Sequence, residues 1–334
     1  MRRARRCPSH SEFLDAAPRR VDYLRLSITD RCNLRCVYCM PPQGVPARAH
    51  GDILSYEELA SFARVAVQCG ISKIRVTGGE PLVRRGCAEF VGMLARTSGV
   101  NDISLTTNGV LLASHARDLR RQGLRRVNIS IDSLDPERFA RITRGGHLGD
   151  VLAGLDAAFA AGFRPVKLNV LLLAGIEREL DAFVELARNR EVHVRFIEFM
   201  PVDRRLAEVP LSDRRLVPAS EILDQMRRRH SVVPDPGPYG HGPAAYWREP
   251  GAAGTIGFVA GVSDHFCDTC NRLRLTADGR LRSCLFSGED VNIRPLITAP
   301  RELRRVVHNV MRDKKYDRRV ETEVSLRSMS QIGG

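Results

Sequence analysis

Tyr23-Leu24-Arg25-Leu26-Ser27-Ile28-Thr29 is a strand-length run of apolar and β-branched residues, and its recurrence along the chain decides the fold. Runs of the same kind follow at 73–78, 102–107, 126–132, 166–173 and 192–199. Between them, apolar residues take helical spacing at 55–69, 86–97, 111–122, 136–161 and 178–189, with room for two helices in 136–161. A sixth helical pattern covers 219–230. Six strand–helix units with right-handed crossovers make a parallel sheet, so the expected class is α/β, an incomplete (βα)6 TIM-like barrel. Catalytic groups in such a barrel gather at the C-terminal ends of the strands.

The unusual residues fall there. Cys32 follows the first run, and Gly78-Gly79-Glu80-Pro81 ends the second. Thr106-Thr107-Asn108-Gly109 ends the third, Ser130 to Asp132 the fourth and Glu198 to Met200 the sixth, while Lys167 and Asn169 lie inside the fifth. Cys32, Cys36 and Cys39 have C-x3-C-x2-C spacing. Three thiolates can hold three irons of a [4Fe-4S] cluster and leave the fourth open to bind and cleave a small molecule. A zinc site is the other reading of such a triplet. A second triplet, Cys267, Cys270 and Cys284, spans Thr276-Ala277-Asp278-Gly279-Arg280, which reads as a hairpin turn returning Cys284 toward the other two. It suits zinc with His265 as fourth ligand, or a second cluster with one open iron. Residues 201–218 and 231–253, rich in Pro, Gly, Arg and Asp, read as loops leaving the barrel, and 301–313 as a helix.

Composition narrows the chemistry. The 334 residues are 43% apolar, enough for a sizeable core, and contain no apolar run of membrane-spanning length. The expectation is a cytoplasmic, soluble protein with no membrane partner. Six of the nine cysteines sit in the two triplets, which suits metal ligation in a reducing compartment; Cys7, Cys69 and Cys87 stand apart. The net charge of +13 is spread along the chain and aromatics are only 6%, which argues against nucleic acid and is compatible with a polyanionic small substrate. No Walker-type loop is present, so a triphosphate would need guanidinium and ammonium groups at the barrel mouth, where Arg25, Arg75, Lys167, Arg272 and Arg274 stand. Lysine occurs only at 73, 167, 314 and 315, and Lys167 interrupts a strand that is otherwise apolar. The scattered histidines form no pair at ligand spacing. Residues 1–20 read as a mobile basic lead-in in which Cys7 is a free thiol.

The first triplet, with Tyr38 before its last cysteine, resembles the signature of the radical S-adenosylmethionine (SAM) superfamily, and Gly78-Gly79-Glu80-Pro81 resembles the superfamily's GGEP motif. In that family the motif's backbone and glutamate contact the amino group of SAM. Over about residues 21–334 the chain resembles the GTP 3′,8-cyclases that begin molybdenum cofactor biosynthesis. The likeness runs through Leu24 to Asn33, Ile74 to Pro81, Leu105 to Gly109, Arg195 to Met200 and Phe266 to Cys284, to Gly333-Gly334. It implies two [4Fe-4S] clusters, one on Cys32, Cys36 and Cys39 and an auxiliary one on Cys267, Cys270 and Cys284. It implies SAM contacts at Tyr38, Gly79, Ser130 and Met200, and GTP contacts at Arg25, Arg75, Thr106, Lys167, Arg272, Leu273 and Arg274. Arg25, Arg272 and Arg274 would be the catalytic residues. The product would be (8S)-3′,8-cyclo-7,8-dihydroguanosine 5′-triphosphate, with the guanine edge held at the auxiliary cluster. Further implications are a homodimer, a flavodoxin or ferredoxin as electron donor, a downstream cyclic pyranopterin monophosphate synthase, and a C-terminal double glycine that enters the active site.

The organisation expected is a lead-in over 1–20, a barrel over 21–230 and a cluster-binding extension over 231–334. Two alternatives remain at this stage. A peptide-modifying radical SAM enzyme would typically carry more C-terminal cysteines, and a zinc-stabilised nucleic-acid binder would be colourless and free of iron.

Overall fold

The computed structural model describes residues 20–46, 48–200, 202, 217–240, 242–314 and 327–333. Nearly all of the lead-in and most of 201–218 therefore lie outside the described residues. The six expected strands form as β1 (Tyr23–Ser27), β2 (Lys73–Thr77), β3 (Asp102–Thr107), β4 (Arg126–Ser130), β5 (Val166–Leu172) and β6 (Val192–Glu198). They pair in parallel and in chain order. The connecting helices are α1 (Tyr56–Gln68), α2 (Cys87–Ala95), α3 (Leu112–Arg121), α4 (Pro136–Thr143), α5 (Leu148–Ala160) and α6 (Leu180–Asn189). Local chemistry sets their ends. Ser55 and Glu58 form a capping box on α1, and Asp135 caps α4 with Pro136 in its first turn. Segment 136–161 is two helices, broken where Arg144 takes a left-handed backbone (φ 57°), the one non-glycine residue to do so among those described.

The expectation of loops over 231–253 is corrected. That stretch contains β7 (Val233–Asp235) and β8 (Ala245–Arg248), an antiparallel pair, after helix α7 (Ala219–Arg229). Beyond it, β9 (Thr255–Val259) joins parallel to β6 and β10 (Arg272–Leu275) joins parallel to β1. The expected hairpin turn links β10 to β11 (Arg280–Arg282), with Gly279 at φ 81° and its N–H donating to Thr276 O at 3.0 Å. Two-residue β12 (Val291–Asn292) and helix α8 (Pro300–Arg312) complete the order β12-β11-β10-β1-β2-β3-β4-β5-β6-β9-β8-β7. The sheet is open rather than closed, as an incomplete barrel requires. Among the described residues no helix is long and apolar enough to cross a membrane.

Side-chain alternation explains what each face does. Leu24, Leu26, Ile74, Val76, Leu105, Val127, Ile129, Leu168, Val170, Val194 and Phe196 are buried in the core shared with the helices. Each such side chain contributes about 1.5–3 kcal/mol by leaving water. The alternate positions are mostly polar and face inward. Across five strands, register partners line up as Arg274, Arg25, Arg75, Ser104 and Arg126, a rung of four cations and a serine.

Candidate active site

The loop after β1 carries Cys32, Cys36 and Cys39 and is clamped to α4. Arg35 N–H donates to Thr143 O at 3.1 Å and Val37 N–H to Ile142 O at 2.9 Å. The Arg144 guanidinium donates to the carbonyls of Arg35 (3.1 Å) and Met40 (2.9 Å), bracing the loop from both sides of Cys36 and Cys39. Burial pushes the Cys32 thiol up to about 11 and the Cys39 thiol up to about 12; it also raises Cys36, helped by the charge of Asp132. Deprotonation there needs a metal to supply positive charge. Among the described residues no three His, Cys, Asp or Glu side chains converge on a single ion. A [4Fe-4S] cluster takes each thiolate on a separate iron, so the donor set fits a cluster better than zinc.

The loop after β2 lies against this one. Gly79 N–H donates to Thr29 O at 2.7 Å and Glu80 N–H to Arg31 O at 2.8 Å. A Cβ on Gly79 would collide with the Arg31 carbonyl, so the close approach demands glycine. The glutamate has a part in the fold. Its carboxylate accepts from Leu82 N–H (3.0 Å), the Thr107 hydroxyl (2.8 Å) and Asn108 N–H (2.6 Å), and it does not line the cavity. Glu80 therefore ties the β2 loop to the β3 loop, and burial pushes it up to about 7 despite those donors.

One cavity of about 270 Å³ brings most candidates together: Arg25, Tyr38, Arg75, Thr106, Ser130, Met200, Cys267, Cys270, Arg272, Arg274 and Cys284 all line it. Six others do not. Cys32, Cys36 and Cys39 lie in the loop that carries Tyr38, and Gly79 is packed on that loop's backbone. Leu273 points its side chain into the apolar core. Lys167 is buried and donates to Tyr239 O at 2.9 Å, in the turn between β7 and β8.

The cations of this interior repel one another. Burial lowers Arg25 well below the usual arginine range, with Arg274 and Arg75 adding to the effect. Burial likewise takes Arg75 down to about 10, Arg274 to about 9 and Lys167 to about 6. Such a constellation favours a polyanion. Against the second triplet the charge works differently. Burial alone would raise Cys270, but Arg272 and Lys314 outweigh it and bring the thiol down to about 6. Cys270 is poised to ligate, and the triplet faces the cavity.

The C-terminal tail enters the same space. Met329 lines the cavity, and the Gly333 carbonyl accepts from Arg25 Nε at 3.3 Å and Arg274 Nη1 at 3.0 Å. Gly334 lies outside the described residues. The sequence reading assigned no role to four participants. Arg195 lines the cavity and donates to Asn169 Oδ1 at 2.5 Å; its signal was a charge at an alternate position of a strand. Asp132 accepts from the Tyr38 hydroxyl at 2.6 Å, and Glu198 accepts from Ala219, Val262 and Ser263 N–H, tying β6 to the segment after β9. Lys314 lines the cavity and donates to Ser283 O at 2.6 Å; only its rarity singled it out.

Comparison with known proteins identifies the family. The Radical SAM superfamily matches residues 26–187 and the Molybdenum Cofactor Synthesis C family matches 192–320. The GTP 3′,8-cyclase of Pelotomaculum thermopropionicum is 45% identical over 326 residues, covering 96% of this chain and 99% of that relative. That of Geobacter sulfurreducens is 46% identical over 330 residues, covering 97% and 100%. Among solved structures, Streptococcus suis SuiB bound to S-adenosylmethionine aligns with TM-score 0.55 at 12% identity, over 84% of this chain and 63% of SuiB. SuiB bound to precursor peptide SuiA aligns at 0.58 and 11%, over 91% and 67%. At that identity the likeness speaks to the fold alone.

Proposed function

This chain belongs to the GTP 3′,8-cyclase family of the radical SAM superfamily, which converts GTP to (8S)-3′,8-cyclo-7,8-dihydroguanosine 5′-triphosphate in the first step of molybdenum cofactor biosynthesis, and we propose that the cavity above is where it does so. The observation that carries this reading is the shared wall: the second cysteine triplet, Arg25, Arg75 and Arg274 of the rung, and the Tyr38–Ser130–Met200 side all open on one space.

Cys32, Cys36 and Cys39 would hold the SAM cluster and Cys267, Cys270 and Cys284 the auxiliary one. When bound, these groups supply one-electron reductive cleavage of SAM and, with it, hydrogen-atom abstraction from the substrate ribose. The chain's own residues do the positioning. Arg25, Arg75, Arg272 and Arg274 grip the triphosphate, and their mutual repulsion is relieved by its charge. Lys167 joins them on leaving the Tyr239 carbonyl. Thr106 offers a hydroxyl on the same wall. Tyr38, Ser130, Met200 and the Gly79 backbone border SAM. Holding C3′ and C8 in near-attack geometry, away from water, is the main task of such a site.

The family supports three further assignments: a homodimer, a flavodoxin or ferredoxin as electron source, and cyclic pyranopterin monophosphate synthase as the enzyme that consumes the product. A cytoplasmic setting agrees with cysteines that are all free among the described residues. The division into a barrel over 21–230 and an extension over 231–334 follows the cluster assignments. The likeness to SuiB gives a peptide substrate no support. A direct test is electron paramagnetic resonance of a Cys32→Ala/Cys36→Ala/Cys39→Ala variant, which keeps only the auxiliary cluster. GTP should shift that signal and ATP should not; a signal blind to GTP contradicts the assignment.

A further inference from the structure

The root of the C-terminal tail is fixed by charge, outside the cavity. Arg327 Nη1 donates to both oxygens of Asp278, at 3.0 and 3.1 Å. Asp278 sits at the tip of the β10–β11 hairpin, oriented by the Thr276 hydroxyl at 2.5 Å. Arg48 reaches the same carboxylate at 3.2 Å and Asp30 at 3.7 Å. Among the described residues neither Asp30 oxygen makes a hydrogen bond, and Arg48 is its ion-pair partner. The Asp278 and Asp30 side chains are 10% and 4% exposed, which shields these pairs from the screening that weakens surface salt bridges.

The four residues thus connect three parts of the site. Asp30 lies two residues before Cys32, Asp278 lies in the hairpin between Arg274 and Cys284, and Arg327 begins the tail. Downstream of Arg327 the tail is held at several points: Ser328 and Gln331 form a capping box, Ile332 is fully buried, and Gly333 meets Arg25 and Arg274. A segment so held is aimed by its anchor.

We propose that the ion-pair relay Asp30–Arg48–Asp278–Arg327 is a clasp that sets the docked position of the C-terminal tail, which makes Asp278 and Arg327 positioning residues for the cyclisation. The proposal rests on the reading that the tail takes part in turnover. Neither residue touches substrate; both act through where Gly333 is placed. A misplacement of about 1 Å is enough for a loss of about 100-fold.

The test uses reconstituted full-length protein with Arg327→Met, Arg327→Lys and Asp278→Asn, alone and combined with deletion of Gly333-Gly334. Iron content and both cluster signals are required to match the parent before rates are compared. Arg327→Met and Asp278→Asn should lower kcat for cyclisation about 10- to 100-fold, with little change in the KM for SAM, and should speed carboxypeptidase release of the C-terminal residues. Arg327→Lys should recover part of the loss. In the deletion background Arg327→Met should add no further loss, because both changes act through one element. Full activity in Arg327→Met and Asp278→Asn, or losses that simply add to the deletion, overturns the clasp. A deletion that alone costs nothing overturns the reading of the tail and the clasp with it, and that outcome is visible in the deletion arm by itself.

Discussion

Tyr38 and Asp132, 94 positions apart, share a hydrogen bond of 2.6 Å from the phenol to Oδ2. The other oxygen of Asp132 accepts from Leu171 N–H at 2.9 Å, so one buried carboxyl group ties the first cysteine loop to the ends of β4 and β5. Burial raises both groups above their ordinary values, which keeps the phenol a donor. The residue before the last cysteine is thereby fixed relative to Ser130, on the wall assigned to SAM.

Tyr38→Phe leaves that carboxyl oxygen without its donor. It should cost about 1–3 kcal/mol of unfolding free energy and weaken SAM binding while iron loading stays intact. Urea titration and equilibrium SAM binding measure the two effects; parental values in both would mean that the bond positions nothing.

Lys167 should make GTP binding proton-coupled. In the folded protein burial brings it down to about 6, with Arg195 and Arg126 assisting, so at pH 8 it is neutral. A triphosphate raises it again, hence GTP binding takes up a proton and weakens as pH rises above about 6. Folding has the opposite sign: the unfolded chain holds this proton up to about 10.5, so the Lys167 contribution to stability grows as pH climbs through that window. Calorimetry in two buffers of different ionisation enthalpy should detect the uptake in the parent and lose it in Lys167→Met. Equal heats in both buffers for the parent would rule the coupling out.

Glu80 should show the opposite pH dependence. Burial raises its folded value to about 7 from an ordinary 4.5, so its contribution to stability is complete below 4.5 and is lost as pH rises through 7. The span corresponds to about 3 kcal/mol. Denaturation midpoints compared between pH 5 and pH 8 should fall less in Glu80→Gln than in the parent; parallel slopes would contradict the assignment.

Arg272→Ala and Arg274→Ala should each weaken GTP binding about 10- to 100-fold, the effect of removing a charge-assisted hydrogen bond of about 1.5–3 kcal/mol. Both clusters should remain, since neither arginine is a ligand. Unchanged GTP affinity in either variant would remove it from the triphosphate grip.

The parallel strands and their helices were legible because each strand run is short and bounded by helical spacing. The strands that extend the sheet beyond these six were less so. Thr255–Val259 follows a stretch rich in glycine and proline and becomes a strand by pairing with β6, while Arg272–Leu275 was announced only by the hairpin turn after it and pairs with β1. At the site, the cysteines and the Arg272/Arg274 pair announced themselves by spacing. The part of Glu80 in the fold, tying the β2 loop to the β3 loop, was not announced by its motif. The Arg327–Asp278 pair, 49 positions apart with no periodicity between, exists only in three dimensions.

The most direct measurement follows 5′-deoxyadenosine and nucleotide products from anaerobically reconstituted protein with SAM and a strong reductant, with GTP, with ATP and with no nucleotide. The account predicts that GTP alone raises 5′-deoxyadenosine and yields the 3′,8-cyclised product. SAM cleavage indifferent to GTP would contradict the substrate assignment, and cluster-loaded protein that leaves SAM intact would contradict the role of Cys32, Cys36 and Cys39.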